Sequence, residues 1–252
     1  MERYFQVDLQ GCSISCKQIC NPDAAIDQVV LFVHGFAGHR DNRAAARFAK
    51  SLCARHPGAA VVTFDLPCHG SDTREKLVLS DCLRYLEVMT AYLQAQYPAA
   101  VLDAYATSFG GYLLLKYIAA YENPFRRIAL RCPAVNMYQV LCNRIMTEEN
   151  RERLNRGECV EVGFDRKIPV DREFLNSLRE ADIMALDFAP FADRILILHG
   201  RKDEVVPFEA GEAFAMKNNL YFVPMAGTDH RFSDPGKMGE AIRRIEAYLA
   251  AD

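Results

Sequence analysis

A serine between small residues stands at the centre of the segment Ala106-Thr-Ser108-Phe-Gly110. An apolar run precedes it and a helical pattern follows, which predicts a sharp strand-to-helix turn with Ser108 at its apex. Ala106 and Gly110 supply the small side chains that such a turn needs two residues before and after the serine. The turn exposes the hydroxyl at a helix N-terminus, where developing negative charge is stabilised. The pattern therefore predicts nucleophilic attack by Ser108 on a carbonyl, against the alternative that the serine only caps a helix.

A carboxylate and a histidine occur downstream, in loops that follow two later predicted strands. Asp203 lies in the segment LHGRKDEVVP and His230 in the segment GTDHRF. The order serine, acid, histidine is that of a triad in which His230 is the general base and Asp203 orients its ring. Asp229 is a rival acid, but a residue adjacent to the histidine is poorly placed to reach its ring. Glu204 is a weaker alternative, so we predict Asp203.

The segment HGFAG at 34–38 follows an early apolar run. In a site of this kind, one backbone N–H from such a loop and the N–H after the nucleophile together bind an oxyanion. We assign these two donors to Phe36 and Phe109. His34 is predicted to fix the loop, and His39, His69 and His199 are likewise expected to be structural.

Short β-branched runs alternate with longer helical periods, which predicts βαβ units around a mostly parallel sheet. Predicted strands occupy residues 4–9, 13–20, 28–33, 59–64, 99–106, 127–131, 194–198 and 220–223. Predicted helices occupy residues 41–55, 75–96, 109–121, 208–217 and 235–250. The fold class is therefore α/β, with a central sheet of about eight strands flanked by helices, in a single domain over residues 1–252.

Residues 134–190 interrupt this alternation between two core strands. They contain helical patterns at 136–155 and 171–185 and an extended segment around 159–164. Extra chain at the carboxyl edge of a parallel sheet commonly covers the ligand crevice. We expect residues 134–190 to form a small cap inserted into the domain.

Composition narrows the class of protein. The chain has 33 acidic residues and 30 Lys and Arg residues, and the basic residues are scattered along it. The resulting net charge of −3 disfavours a nucleic-acid partner. No apolar run approaches the roughly 18 residues that span a bilayer, and the N-terminal segment lacks the pattern of a signal peptide. With nine irregularly spaced cysteines, reduced thiols and a cytoplasmic location are expected.

Five segments together resemble the α/β-hydrolase superfamily: HGFAG at 34–38, DLPCHGSD at 65–72, ATSFGG at 106–111, LHGRKDEVVP at 198–207 and DHRF at 229–232. Within it, the chain is most similar to the branch of serine aminopeptidase-like hydrolases, monoacylglycerol lipases and cinnamoyl or feruloyl esterases. The resemblance implies the α/β-hydrolase fold and a serine hydrolase or esterase activity.

The predicted reaction is cleavage of a small-molecule carboxylic ester through an acyl-enzyme, with a small, apolar or aromatic acyl group. The sequence carries no metal- or phosphate-binding motif, so no cofactor and no metal are predicted. A peptidase or a thioesterase would use the same residues, and a non-catalytic binding protein would use the same fold. The oligomeric state is left open, with a homodimer among the alternatives.

Overall fold

The computed structural model describes residues 1–251. The strands are β1 (Glu2–Leu9), β2 (Cys12–Cys20), β3 (Gln28–Val33), β4 (Ala59–Phe64), β5 (Val101–Thr107), β6 (Ile128–Arg131), β7 (Val160–Val162), β8 (Ile168–Val170), β9 (Ile195–Gly200) and β10 (Tyr221–Met225). The helices are α1 (Arg43–Arg55), α2 (Leu79–Gln96), α3 (Phe109–Ala120), α4 (Met137–Val140), α5 (Glu148–Asn155), α6 (Arg172–Glu180), α7 (Phe208–Lys217) and α8 (Pro235–Ala250). A π-helical turn covers Leu141–Ile145, and a 3₁₀ segment covers Ala189–Arg194.

Eight strands form one sheet in the order β1-β2-β4-β3-β5-β6-β9-β10. β2 runs antiparallel to both β1 and β4, whereas β4, β3, β5, β6, β9 and β10 run parallel to one another. The structure thus confirms the predicted α/β fold with a mostly parallel sheet of eight strands. Because parallel strands share one carboxyl edge, the loops after β3, β5, β9 and β10 leave the sheet on the same side.

The two edges of the sheet are formed by β1 and β10. β1 pairs only with β2 and carries mostly exposed side chains. In β10, the Met225 carbonyl accepts a hydrogen bond from the Arg201 N–H at 3.0 Å. The backbone N and O of successive strand residues point to opposite sides, so those of the neighbouring Pro224 face the open edge of the sheet.

Both faces of the central sheet are covered, which is why the inner strands are apolar along their length. Every residue of β4 is buried. On one face Leu86 of α2 and Leu113 of α3 pack against the sheet; on the other face Phe48 of α1 and Ile245 of α8 do so. Burial of each such side chain contributes about 1.5–3 kcal/mol to folding.

Several predicted helices are shorter than their patterns indicated; α6, for example, covers Arg172–Glu180 of the predicted 171–185. α2 begins at Leu79 rather than at residue 75. Just before it, the Asp72 carboxylate accepts hydrogen bonds from the backbone N–H of Cys68 at 2.8 Å and of Arg74 at 3.0 Å. Such side-chain bonds compete with helix formation, so they hold this segment in a turn.

The prediction of one continuous helix over 136–155 was wrong. Met146 is extended, with φ −78° and ψ 143°, and α5 starts afresh behind Thr147. The Thr147 hydroxyl accepts from the Asn150 N–H, and the Asn150 side chain accepts from the Thr147 N–H, each at 3.1 Å. This reciprocal cap satisfies the free N–H groups of a new helix.

Residues 134–190 leave the sheet between β6 and β9 and contain α4, α5, α6 and the two-stranded β7–β8 hairpin. The Phe174 ring of α6 packs edge-on against Phe109, with centroids 6.3 Å apart. The hairpin turn approaches the 34–38 loop so closely that a Cβ on Gly163 would lie 3.3 Å from the Ala37 side chain. Among residues 1–251, no helix is long and apolar enough to cross a membrane.

Candidate active site

Ser108 occupies the turn between β5 and α3. Its φ of 52° and ψ of −119° lie in a region that costs a side-chain-bearing residue about 1–3 kcal/mol. The turn is compressed from both sides. A Cβ on Gly110 would collide with the carbonyl oxygens of Val33 and His34, and one on Gly35 would lie 3.1 Å from Ser108 Cβ. At Gly110, the predicted need for a small residue therefore has a steric cause in the loop that follows β3.

Asp203 and His230, predicted from separate loops, are joined by a hydrogen bond of 2.8 Å between Asp203 Oδ2 and His230 Nδ1. The Asp203 side chain is fully buried, whereas 13% of the His230 side chain is exposed. The second carboxylate oxygen, Oδ1, accepts from the backbone N–H of Val205 at 2.9 Å and of Val206 at 2.7 Å. The carboxylate is thus fixed by the turn that follows β9, and the imidazole is fixed by the carboxylate.

Burial alone would raise the pKa of Asp203. The hydrogen bonds from His199 and His230, together with the charge of His230, outweigh burial and hold the pKa of this carboxyl well below its usual range. Asp203 is therefore an anion at neutral pH. An anion at this position stabilises the His230 tautomer whose proton is on Nδ1 and leaves Nε2 free to act as a base.

The rival acids point elsewhere. The Asp229 carboxylate accepts from the Ser233 backbone N–H at 2.8 Å and caps the following turn. Glu204 contacts the backbone N–H of His230, at 3.4 Å, rather than its ring. Of the three carboxylates considered from the sequence, Asp203 is the one bonded to the imidazole.

Of the two amides predicted to bind an oxyanion, that of Phe109 directly follows Ser108, and that of Phe36 follows Gly35, where a Cβ would lie 3.1 Å from Ser108 Cβ. Phe109 is the first residue of α3, so its N–H has no acceptor within the helix. Within residues 1–251 the Phe36 N–H also donates to no protein group. Both rings are buried and pack edge-on, with centroids 5.8 Å apart. The rings thus anchor the two amides from the core side.

His34 fixes the loop that carries Phe36. Its Nε2 lies 3.3 Å from the backbone N–H of Leu66, which can only donate, so Nε2 accepts. The proton is therefore on Nδ1, 2.8 Å from the Gly35 carbonyl. Burial lowers the pKa of His34 well below its ordinary value, which keeps the ring neutral. This side chain supports the loop.

A cleft of about 860 Å³ opens at the carboxyl edge of the sheet, and both Ser108 and His230 line it. No hydrogen bond joins these two side chains in the part of the chain that the structure describes; such contacts commonly tighten only when substrate binds. Around them the cleft has apolar and basic walls, with Phe36, Ile145, Phe164 and Val205 among the apolar residues. Ile145 and Phe164 belong to residues 134–190.

Two residues near Asp203 were not predicted to matter. His199, expected to be structural, places Nε2 at 3.3 Å from Asp203 Oδ2. Cys132, at the end of β6, adopts φ 46° and lies close enough to influence Asp203. The only sequence signal that could have indicated them is position: His199 lies near the end of β9, four residues before Asp203, and Cys132 follows β6, which pairs with β9.

Cys132, Asp203 and His230 have ligand atoms within 4.8 Å of one another, which is the one such trio among residues 1–251. A cysteine binds a metal ion as its thiolate, not as its thiol. Burial, followed by the charge of Asp203, raises the pKa of the Cys132 thiol well above its ordinary value. A protonated thiol and a carboxylate already bonded to histidine make a poor metal site.

Comparison with solved structures supports the fold. Est1E from Butyrivibrio proteoclasticus, solved with ferulic acid, matches with a TM-score of 0.76 and 19% identity over 97% of each chain. Alpha/beta hydrolase domain-containing protein 10 from mouse matches with a TM-score of 0.72 and 13% identity over 98% of each chain. A monoacylglycerol lipase from Paleococcus ferrophilus matches with a TM-score of 0.66 and 16% identity, covering 94% of this chain and 98% of its own.

By sequence, no curated protein matches significantly. A family model does match: that of the alpha/beta hydrolase family aligns with residues 30–241, from β3 into α8. The match spans far more than half of the chain and contains the loops of Ser108, Asp203 and His230. The chain therefore belongs to the α/β-hydrolase family.

Proposed function

We propose that this protein is a serine hydrolase that cleaves carboxylic esters. Ser108 is the nucleophile, His230 the general base and Asp203 the acid that orients it. The observation that carries the proposal is the 2.8 Å bond between buried Asp203 and His230, which faces the same cleft as the serine of the strained turn. A protein of this fold that only binds ligands has no need to combine a carboxylate–histidine pair with a serine in a strained turn at one cleft.

In the proposed reaction, Ser108 Oγ attacks the ester carbonyl carbon while His230 Nε2 takes the hydroxyl proton. The oxyanion of the tetrahedral intermediate accepts hydrogen bonds from the Phe36 and Phe109 amides, each worth about 10²–10³ in rate. Collapse breaks the bond to the alcohol, which leaves with the proton from His230. A water molecule then repeats the sequence on the acyl-enzyme and releases the acid and Ser108.

We expect the acyl group to be small, apolar or aromatic, because Phe36, Ile145, Phe164 and Val205 provide apolar surface in the cleft. Two similar structures favour esters of this kind, since one holds ferulic acid and another is a monoacylglycerol lipase. We further propose that residues 134–190 act as the cap, since they contribute Ile145 and Phe164 to the cleft wall. All nine cysteines are free, which fits a reducing compartment such as the cytoplasm.

Labelling with a fluorophosphonate probe, alongside turnover of p-nitrophenyl butyrate, tests the proposal. The wild-type protein should be labelled, and Ser108→Ala should abolish labelling and lower kcat by roughly 10⁶, as in other triads. Ser233→Ala is the matched control, because Ser233 lines the same cleft without a histidine partner within residues 1–251. Labelling that survives in Ser108→Ala, or a wild-type protein that neither reacts nor turns over esters, would overturn the assignment.

A peptidase or a thioesterase would use the same residues. Parallel assays with a p-nitrophenyl ester, a thioester and a p-nitroanilide of one acyl group separate these activities. We expect the highest kcat/KM with the ester. A kcat/KM more than tenfold higher for the thioester would instead indicate a thioesterase, and one more than tenfold higher for the anilide would indicate a peptidase.

A further inference from the structure

Arg131 is a buried cation at the edge of the proposed active site. It is the last residue of β6, and its carbonyl accepts a hydrogen bond from the Ser108 N–H at 3.1 Å. Only 7% of the residue is exposed. Arg131 nevertheless lines the cleft that contains Ser108 and His230, together with Phe232 and Met238, the two residues that its guanidinium contacts.

The guanidinium of Arg131 lacks the partner that a buried arginine normally has. Its Nη1 lies 3.4 Å from the Met238 thioether, a weak acceptor, and its Cζ lies 5.1 Å from the centre of the Phe232 ring. Its Nε is buried without a hydrogen bond. Among residues 1–251, no carboxylate lies within 4.0 Å of Arg131 nitrogens. A buried charge without a counter-ion is strongly unfavourable.

Arg40 shows the usual arrangement in the same protein. Its guanidinium forms an ion pair with the buried carboxylate of Asp65, and its backbone N–H donates to the same carboxylate at 2.7 Å. That arginine joins two loops and has a counter-ion within the fold, although its Nε, like that of Arg131, is buried without a hydrogen bond. Arg131 has several unused donors, and the cleft is the space into which it opens.

Most of the charged residues around Arg131 in the cleft are also positive. Arg43, Arg47, Arg166 and Arg231 also line the cleft, whereas its acidic residues are Asp41 and Asp165. Asp41 is occupied by Lys17, at 3.3 Å, and Asp165 lies 3.8 Å from Arg231. The cleft therefore has an excess of positive charge although the whole chain has a net charge of −3, and such a field raises the local concentration of anions.

We propose that Arg131 binds an anionic group of the substrate, so that the esters cleaved here carry a carboxylate or phosphate in addition to the ester bond. This inference rests on the proposed function. The planar guanidinium presents paired donors that match the oxygens of either anion. The apolar wall would contact the remaining part of the substrate, and Arg131 would fix its orientation relative to Ser108.

A chain-length series of p-nitrophenyl monoesters tests the inference. The monoesters of succinic, glutaric and adipic acids are compared with the neutral butyrate, valerate and hexanoate esters of equal length. For at least one length, the wild-type kcat/KM should favour the carboxylate ester by about 10–100-fold, as expected for a hydrogen bond between charged groups. The preference should fall as salt is added. Equal kcat/KM values at all three lengths would overturn the inference.

Arg131→Met should reduce this preference to near unity. Arg84→Met is the matched control, because Arg84 lies on α2 and pairs with Glu87 at 2.6 Å; it should retain the preference. Retention of the preference in Arg131→Met would mean that the guanidinium serves only to pack against Phe232. The wild-type ratio needs no variant, so the inference stays testable even if Arg131→Met does not fold.

Calorimetry on Ser108→Ala separates this inference from the proposed function, because it requires no turnover. Glutarate and inorganic phosphate are titrated separately, with uncharged glutaramide as the control. The titrations are repeated after Arg131→Met is added to the Ser108→Ala variant. If this substitution weakens glutarate binding at least tenfold, Arg131 forms a carboxylate site. If it weakens phosphate binding at least tenfold, Arg131 forms a phosphate site. Anion binding by a protein that hydrolyses no ester would contradict the proposed function alone, whereas no binding of either anion would contradict the subsite.

Discussion

The Nε2 atom of His199 lies 3.3 Å from the Oδ2 atom of Asp203, the oxygen that also accepts the bond from His230. The same Nε2 lies 3.1 Å from the Val206 carbonyl, which can only accept. Nε2 therefore carries a proton, and His199 presents it to the same carboxylate oxygen that accepts from His230. Two imidazoles thus contact the acid, so its position depends on both.

His199→Leu removes one of these two bonds, and we expect kcat to fall about tenfold. The KM should change by less than about twofold, because His199 does not line the cleft. His199→Gln, whose side-chain amide can donate to Asp203, should recover most of the rate. Steady-state kinetics on an ester substrate measures both parameters.

His56→Leu is the control for the loss of an imidazole, since His56 lies at the end of α1, away from the cleft. It should leave kcat unchanged. An unchanged kcat in His199→Leu, or an effect confined to KM, would contradict the positioning role.

Asp203→Asn and Asp229→Asn form a matched pair of substitutions. Asparagine at 203 can no longer stabilise the required His230 tautomer, so kcat should fall by about 10⁴. Asparagine at 229 retains an oxygen that can accept from the Ser233 N–H, and kcat should stay within about threefold. A larger loss in Asp229→Asn than in Asp203→Asn would reverse the assignment of the acid.

The lowered pKa of Asp203 also predicts how stability depends on pH. In the unfolded chain an aspartate titrates at about 3.9, whereas in the folded protein burial is outweighed by hydrogen bonds and the carboxyl titrates lower. Its contribution to stability is present above pH 3.9 and is lost as pH falls toward the folded pKa. In that interval the unfolded state binds one more proton, which lowers the free energy of unfolding by up to about 1.4 kcal/mol per pH unit.

Asp203→Asn has no such carboxyl. The difference in free energy of unfolding between wild type and this variant should therefore shrink by about 1 kcal/mol from pH 4 to pH 3. Urea denaturation at pH 5, 4 and 3 measures it. A difference that stays constant over this range would contradict the lowered pKa.

Two helical glycines should respond oppositely to alanine. In Gly110→Ala the new methyl group would overlap the carbonyl oxygens of Val33 and His34, so we expect a loss of about 2 kcal/mol or more in the free energy of unfolding. In Gly239→Ala, on α8, the nearest atom would be Arg243 Nη1 at 3.5 Å, and a gain of about 0.5–1 kcal/mol is expected. Thermal and urea unfolding of both variants checks the pair, and equal effects would refute the steric argument.

Local sequence patterns predicted most of the framework. The run at 28–33 became β3 with the predicted bounds, because a strand buried on both faces is apolar beyond its first residue, here Gln28. Asp203 was preferred over Asp229 because an adjacent residue cannot easily bend back to the ring, and the structure has Asp229 bonded to Ser233. These inferences needed only geometry within a few residues.

The features that the sequence did not indicate depend on contacts between distant segments. Arg131 and Met238 are 107 residues apart, so nothing in the run of residues 127–131 distinguished a buried, unpaired guanidinium from one exposed at a strand end. In the sequence, His199 resembles any polar residue near the end of a strand. Only the fold of the following loop brings the Asp203 carboxylate to its ring. The split at Met146 depended on a cap that competes with a continuous helical pattern.

The two edges of the sheet also bear on self-association. A further strand added to β10 would meet Pro224, which has no N–H to offer to the ladder, and one added to β1 would meet charged side chains such as Glu2, Arg3 and Asp8. Both are devices by which natural sheets resist fibril-like stacking. We therefore expect any association between copies of this chain to leave the sheet eight strands wide.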